Sequence, residues 1–275
     1  MKFIWMHYRE LNTDLVKAGF TKEYEYINHY KMYGMKENRN YNIYMVNPNF
    51  NWIKYRDDNK LLSKLYTKEQ CELHWLINCY NNNIITFITP TIGRNTLYNT
   101  IKSVMNQINT NWNYIIAFDG IDIPTDIMEL IKCDQRISYI ILPKTGNINF
   151  GGMVRNKAME LVTTKWIGFV DDDDTISPYY VDNMMEYIEE YDCIVFRMID
   201  SMNNILPPID QTDFIEHQVG ISFCYKTELF KNGIKFEPGP TEDFMLLNKI
   251  RCNNMYKIIL SKYIVYFIRS DKNII

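Results

Sequence analysis

Four consecutive aspartates, Asp171–Asp174, follow the apolar stretch WIGFV (166–170) and lead into Thr175 and Ser177–Pro178. Two carboxylates held about 4 Å apart repel by about 4 kcal/mol at an effective dielectric of 20. Such a run therefore calls for water, a basic partner or a cation beside it. In an extended strand end, residues i and i+2 share a face about 6.6 Å apart, which pairs Asp171 with Asp173 and Asp172 with Asp174. A converging pair suits a hard divalent ion, Mn²⁺ or Mg²⁺, whose preferred ligands are oxygens and which is commonly shared with substrate phosphates. The run fits equally a solvated acidic turn in which Asp174 or Thr175 caps the next helix. Two more acidic positions stand out. Asp119 closes YIIAFD ahead of Gly120, and Thr241, Glu242 and Asp243 follow Pro238–Gly239–Pro240.

The elements that must position these groups alternate regularly from about residue 84. IITFITP (84–90), YIIAFD (114–119), ISYIIL (137–142) and WIGFV are short, β-branched apolar runs of the kind that form buried strands. Between them Leu97, Ile101, Val104 and Met105, then Ile127, Leu130 and Ile131, then Val154, Ala158 and Leu161 recur at helical spacing. Ser177–Pro178 reads as an N-cap with proline at the first helical position, ahead of Val181, Met184, Met185 and Ile188. Strand–helix alternation of this type predicts an α/β fold with a mostly parallel sheet flanked by helices. Ligands of such sheets bind outside the carboxyl ends of the strands, where Asp119 and Asp171 fall. Thr241 reads as the cap of a further helix, with Glu242 and Asp243 in its first turn favouring the helix dipole.

The motifs, taken in order, resemble the nucleotide-sugar glycosyltransferases of the GT-A fold, the large family that includes cellulose and chitin synthases. FITPTIGRNTLYNTIKSVMNQ is similar to its opening strand, Pro-Thr turn, basic loop and helix with a late glutamine, here Pro90, Thr91, Arg94 and Gln107. GNINFGGMVRNKAMELVTTKWIGFVDDDD resembles the stretch from a glycine-containing loop through an Arg-Asn pair to the Asp-x-Asp motif, and GPTEDFMLL resembles the Thr-Glu-Asp motif.

The resemblance covers about residues 84 to 270. It implies an inverting transfer of a sugar from a UDP-sugar to an acceptor hydroxyl, assisted by Mn²⁺ or Mg²⁺. Asp119 is then the uracil-recognising carboxylate, with Pro90 and Thr91 shaping the nucleoside loop. Arg94 and Arg155 are placed near the nucleotide or its phosphates, although Arg155 also fits a surface salt bridge. Asp171 and Asp173 become the metal pair, with Asp171 alternatively on the ribose and Asp172–Asp174 as the other register. Asp243 becomes the base, and Glu242 orients the acceptor or supports the loop. The acceptor is a glycan, a protein or a small molecule. Two other readings remain open: a sugar-nucleotide nucleotidylyltransferase, for which TPTIGRNT is a poor phosphate loop, and a non-catalytic carbohydrate-binding protein.

Composition narrows the field. With 47% hydrophobic and 23% charged residues, the 275-residue chain is globular rather than disordered. A net charge of −3 argues against a nucleic-acid partner. Six scattered cysteines with no CxxC pair argue against zinc and read as mostly core thiols in a reducing compartment. No run approaches the roughly 20 apolar residues of a membrane span, and MKFIWMHYRE is too short in apolar residues for a signal peptide. The expected location is the cytoplasm. Absence of spans and of a Gln-x-x-Arg-Trp motif argues against processive polysaccharide synthesis. Abundant Ile, Asn, Lys and Tyr reads as drift in an AT-rich genome, such as that of a giant virus.

Residues 1–83 differ in texture and are read as a small, mainly helical appendage to a domain at 84–275. Helical patches are TKEYEYINHYKMYG and KEQCELHWLINCY, with ENRNYNIYMVNPNFNW between them as loop. INHYKMYGMKENRNYN resembles a His-Tyr…Gly…Glu-x-Arg element found beside some glycosyltransferase domains. Packing is the role expected of His29, Tyr30, Gly34, Glu37 and Arg39.

Overall fold

The computed structural model describes residues 2–47, 50–58, 67–76, 83–145 and 151–269. The end of KEQCELHWLINCY from 77 on, which includes Cys79, and GNINF (146–150) lie outside the described residues. The chain divides into two compact units, Met1–Asn82 and Asn83–Ile275.

Among its described residues the first unit has six short helices: α1 (Trp5–Leu11), α2 (Thr13–Lys17), α3 (Glu23–His29), α4 (Ile43–Val46), α5 (Trp52–Asp58) and α6 (Lys68–Trp75). A π-helical turn, Tyr30–Gly34, prolongs α3. Helix α4 falls inside the segment expected to be loop. Its cause is local: the Asn42 side chain accepts from Tyr44 N at 3.0 Å and so caps a single turn. Aromatic residues fill the interior, with Tyr8, Leu15 and Tyr26 in one cluster and Ile43, Phe50, Tyr55, Cys71, Trp75 and Leu76 in another. The His-Tyr…Glu-x-Arg element packs here. His29 Nδ1 lies 2.9 Å from Tyr8 OH, and a Cβ on Gly34 would meet that hydroxyl at 2.3 Å. Arg39 binds Asp14 at 2.7 Å.

The second unit is a mixed sheet of nine strands flanked by helices. Its strands are β1 (Ile85–Thr91), β2 (Trp112–Asp119), β3 (Ile137–Leu142), β4 (Trp166–Phe169), β5 (Thr175–Ile176), β6 (Cys193–Ile199), β7 (Ile205–Leu206), β8 (Phe223–Lys226) and β9 (Ile258–Phe267). Their order is β3-β2-β1-β4-β8-β6-β9-β5, with β7 beside β6. The helices are α7 (Leu97–Met105), α8 (Thr125–Cys133), α9 (Gly152–Met159), α10 (Tyr180–Met185), α11 (Thr227–Lys231) and α12 (Glu242–Arg251).

Strands β3, β2, β1 and β4 pair in parallel, as their helix-separated sequence predicts. Beyond β4 the character changes: β8 runs antiparallel to both β4 and β6, while β9 returns parallel to β6. Near-continuous burial along β1, β2 and β4 explains their unbroken apolar runs. Phe87, Phe118, Trp166 and Phe169 are completely or almost completely buried there, each contributing about 1.5–3 kcal/mol of transfer free energy.

Three local expectations change. Strand β4 stops at Phe169, and the two-residue β5 then pairs with the end of β9. Helix α10 begins at Tyr180, without a side-chain cap, and ends at Met185 rather than reaching Ile188. Ser177 still organises this start, its hydroxyl accepting from Tyr179 N at 3.3 Å and its carbonyl from Tyr180 N at 3.0 Å. Gln107 reinforces it, donating to Ser177 O at 2.7 Å and accepting from Val181 N at 3.2 Å. Among the described cysteines all five are free, with Cys71, Cys193 and Cys224 buried and Cys133 and Cys252 exposed. No helix among the described residues is long and apolar enough to cross a membrane.

Candidate functional site

Strand β1 lies between β2 and β4, so the connections after β1 and around it leave to opposite sides and open a crevice at the carboxyl ends. Thr91 ends β1, Asp119 ends β2, and the aspartates follow β4. Thr91 Oγ1 donates to Asp172 Oδ2 at 2.7 Å across that crevice and accepts from Gly93 N at 2.9 Å. Arg94 Nη1 donates to Asp172 Oδ1 at 2.8 Å and lies 3.0 Å from Asp173 Oδ2. Asp172 is thus a buried strut tying the acidic segment to β1 and its loop, and burial raises its pKa despite Thr91 and Arg94. Pro90 sits beside Ala117 in the β1–β2 register.

The aspartates do not alternate as an extended chain would. Asp174 N donates to Asp171 O at 3.1 Å, closing a turn that brings position i+3 round to the side of i and i+2. Carboxylate oxygens of Asp171, Asp173 and Asp174 consequently lie within 4.8 Å of one another. The expected pair Asp171 and Asp173 is brought together, with Asp174 added and Asp172 turned away.

Contacts from distant elements hold this turn. Thr100 Oγ1, on α7, donates to Asp174 O at 2.7 Å, and Tyr266 OH, on β9, accepts from Asp171 N at 3.0 Å. Arg269 N donates to Asp174 Oδ1 at 2.8 Å, and its Nε lies 3.7 Å from Asp173 Oδ2. Nothing in their spacing marks Thr100 or Tyr266, because each reaches the turn from an element more than 70 residues away. Burial, compounded by the charge of Asp171 beside it, pushes the Asp174 carboxyl up to about 8.

Arg155 is almost fully buried on α9 rather than at a surface. It donates through Nη2 to Asp171 Oδ1 and through Nη1 to Glu242 Oε1, the latter at 2.8 Å. Burial alone disfavours the guanidinium charge, but Asp171, Asp243 and Glu242 outweigh it and hold the group firmly protonated. Glu242 Oε2 accepts from Gly152 N at 3.1 Å. That approach needs a glycine, since a Cβ on Gly152 would stand 2.5 Å from Oε2 and 2.7 Å from Phe236 Cβ. Asn156, one turn further along α9, donates to Phe236 O at 2.9 Å and accepts from Phe236 N at 3.1 Å. Glu242 therefore supports the Gly151–Gly152 start of α9.

Thr241 occupies the N-cap of α12 but makes no side-chain capping bond, contrary to expectation. Asp243 Oδ1 is buried with no hydrogen-bond partner among the described residues. Burial pushes Asp243 up to about 6 and Glu242 up to about 7, the charge of Arg155 offsetting part of each shift. A carboxylate poised near neutrality with an unpartnered buried oxygen is suited to accept a proton.

Asp119 is buried and accepts from Thr145 N at 2.8 Å and Thr145 Oγ1 at 3.0 Å. This clamp fixes the orientation of its carboxylate. Gly120 follows at φ +69°, where a Cβ would stand 2.4 Å from Lys144 Cβ.

Residues 86–248 match the family model described as Glycosyl transferase family 2. The putative teichuronic acid biosynthesis glycosyltransferase TuaG of Bacillus subtilis (strain 168) is 28% identical over 113 residues, which cover 40% of this chain and 44% of TuaG. The putative colanic acid biosynthesis glycosyl transferase WcaA of Escherichia coli (strain K12) is 35% identical over 102 residues, covering 36% of this chain and 35% of WcaA. The matched stretches thus span less than half the length of either relative.

Among solved structures, S. aureus TarS 1-349 superposes with a TM-score of 0.55 at 19% identity, covering 67% of this chain and 60% of that one. Its complex with UDP-GlcNAc gives 0.53. The mannosyltransferase PcManGT from Pyrobaculum calidifontis, in complex with GDP-Man and Mn²⁺, gives 0.53 at 13% identity over 69% of this chain and 57% of that one. These structures share the GT-A fold. From the first strand of the sheet to the last helix of the site, the chain belongs to glycosyl transferase family 2.

Proposed function

We propose that the protein transfers a sugar from a UDP-sugar to an acceptor hydroxyl, with inversion at the anomeric carbon and with a divalent cation at the acidic turn. The observation that carries this reading is the single network joining Asp171, Arg155 and Glu242, which ties the acidic turn after β4 to the first turn of α12, where Asp243 follows Glu242. TarS binding UDP-GlcNAc and PcManGT binding GDP-Man with Mn²⁺ support it on the same fold.

The residues present fit a hard divalent ion. Asp171, Asp173 and Asp174 offer only carboxylate oxygens, and the burial and mutual repulsion that together raise Asp174 are what a bound cation offsets. These three would hold Mn²⁺ or Mg²⁺, and when bound the ion supplies Lewis-acid stabilisation of the leaving diphosphate.

The protein's own groups do the remaining work. Asp119 accepts the uracil N–H, and Pro90 and Thr91 shape the nucleoside loop. Arg94 and Arg269 present cationic charge next to Asp173, at the phosphate side of the turn. Asp243 takes the acceptor proton at its unpartnered Oδ1. The acceptor oxygen then attacks the anomeric carbon opposite the breaking bond, so one displacement inverts the centre without a covalent intermediate. Arg155 and Glu242 hold the base and the acidic turn in register.

A panel of nucleotide sugars, incubated with and without Mn²⁺, tests the reading through nucleoside diphosphate release. UDP release that requires metal and is lost in Asp173→Ala is the expected result. Pyrophosphate exchange, or donor binding without turnover for any acceptor class, contradicts it.

A further inference from the structure

The first unit contains a cleft of about 580 Å³, within the range of small-molecule sites. Half-buried rings of Phe3, Trp5 and Tyr44 form part of its wall. Its charged groups are nearly balanced, with Lys2 and Lys68 against Glu23, Glu69 and Glu72.

Glu72 is the unusual member, only 1% exposed. Tyr44 OH donates to its Oε1 at 2.7 Å, while His7 Nε2 lies 3.5 Å from Oε2 and Lys68 Nζ lies 3.7 Å from Oε1. Isolated carboxylates are rarely buried, and burial raises this one's pKa while lowering that of His7 to about 4. His7 is therefore neutral at neutral pH, with Nδ1 accepting from Ile43 N at 3.4 Å and its Nε2–H turned toward Glu72, and Glu72 lines the cleft as a carboxylate already held by Tyr44. None of these contacts is part of the network around Asp171 and Glu242.

Which ligand would such a lining take? A phosphate or nucleotide would bring negative charge against three carboxylates. A cation would compete with Lys2 and Lys68. A neutral ligand rich in hydroxyls avoids both conflicts, because carboxylates accept from its O–H groups, lysines donate to its oxygens, and aromatic rings cover its apolar C–H faces. We propose that the cleft lined by Trp5, Tyr44 and Glu72 is a binding site for a neutral saccharide, separate from the donor site. The inference stands apart from the transferase reading, since it needs neither metal nor turnover.

Titrating the full chain with cellobiose, maltose and di-N-acetylchitobiose, followed by tryptophan fluorescence and saturation-transfer NMR, tests it. The expected result is saturable binding of at least one of these saccharides. Glu72→Gln, which loses the charge of the acceptor, should weaken it by about tenfold, and Trp5→Ala should abolish it, both with native circular dichroism. Glu69→Gln, at an exposed position, should also weaken binding and keeps the test readable if Trp5→Ala fails to fold. The inference is overturned if no saccharide binds up to millimolar concentration, or if binding is unchanged in both Glu72→Gln and Glu69→Gln. Protection of the same signals by butylamine or inorganic phosphate, with no saccharide response, also overturns it.

Discussion

Arg155 and Glu242 stand 87 positions apart in the chain and meet at 2.8 Å, both side chains almost removed from solvent. Through its other arm Arg155 reaches Asp171. One buried cation thus joins the turn after β4 to the first residue of α12. Breaking such a pair from one side leaves uncompensated charge in the interior. Arg155→Ala should lower unfolding free energy by about 3–5 kcal/mol, measured by urea denaturation. Glu242→Gln, which keeps the shape, should cost less.

The contact between Gly152 and Glu242 sets a second prediction. Gly152→Ala places a methyl group 2.5 Å from Glu242 Oε2, and forced overpacking of this kind costs about 1–3 kcal/mol. Gly239→Ala is the control, since its Cβ would meet Met245 Sδ at an ordinary 3.5 Å. Thermal unfolding should separate the two variants, with only the first destabilised.

Asp172 and Asp173 should behave differently although they are neighbours. Asp172 is bound by Thr91 and Arg94, whereas Asp173 belongs to the group facing Asp171 and Asp174. Thr91→Val removes a donor from a buried carboxylate and should cost about 1–3 kcal/mol. A Mn²⁺-induced rise in melting temperature should persist in Thr91→Val and Asp172→Asn and disappear in Asp173→Ala.

Asp243 gives a pH dependence of definite sign. Its pKa is raised from 3.8 to about 6 by burial, so folding favours the neutral carboxyl. The resulting contribution to stability is present below 3.8 and is lost as pH rises through about 6. Activity runs the other way, because a base must be ionised. Plots of log kcat/KM should rise with pH and level off above about 6, and Asp119→Asn, remote from this proton, should leave the inflection in place.

How much of this could be read from residues alone follows from what each feature depends on. Strands β1, β2 and β4 announce themselves because near-continuous burial leaves apolar, β-branched runs such as YIIAF and WIGF. Asp119 and Asp171 were legible as strand-end groups for the same reason. The antiparallel half was not, since β5 and β7 are two residues each and carry no periodicity. Alternation misled within the aspartate run, because the chain turns there instead of extending. The Thr145 clamp on Asp119 and the burial of Arg155 are tertiary contacts between distant segments, which no local spacing encodes.

The most direct measurement compares nucleoside diphosphate release by the wild-type protein and Asp243→Asn at saturating UDP-sugar and Mn²⁺, with UDP affinity measured in parallel. A general base is worth about 10²–10⁴ in rate, so release should fall by that factor while UDP affinity is unchanged. Wild-type turnover in Asp243→Asn would contradict the account.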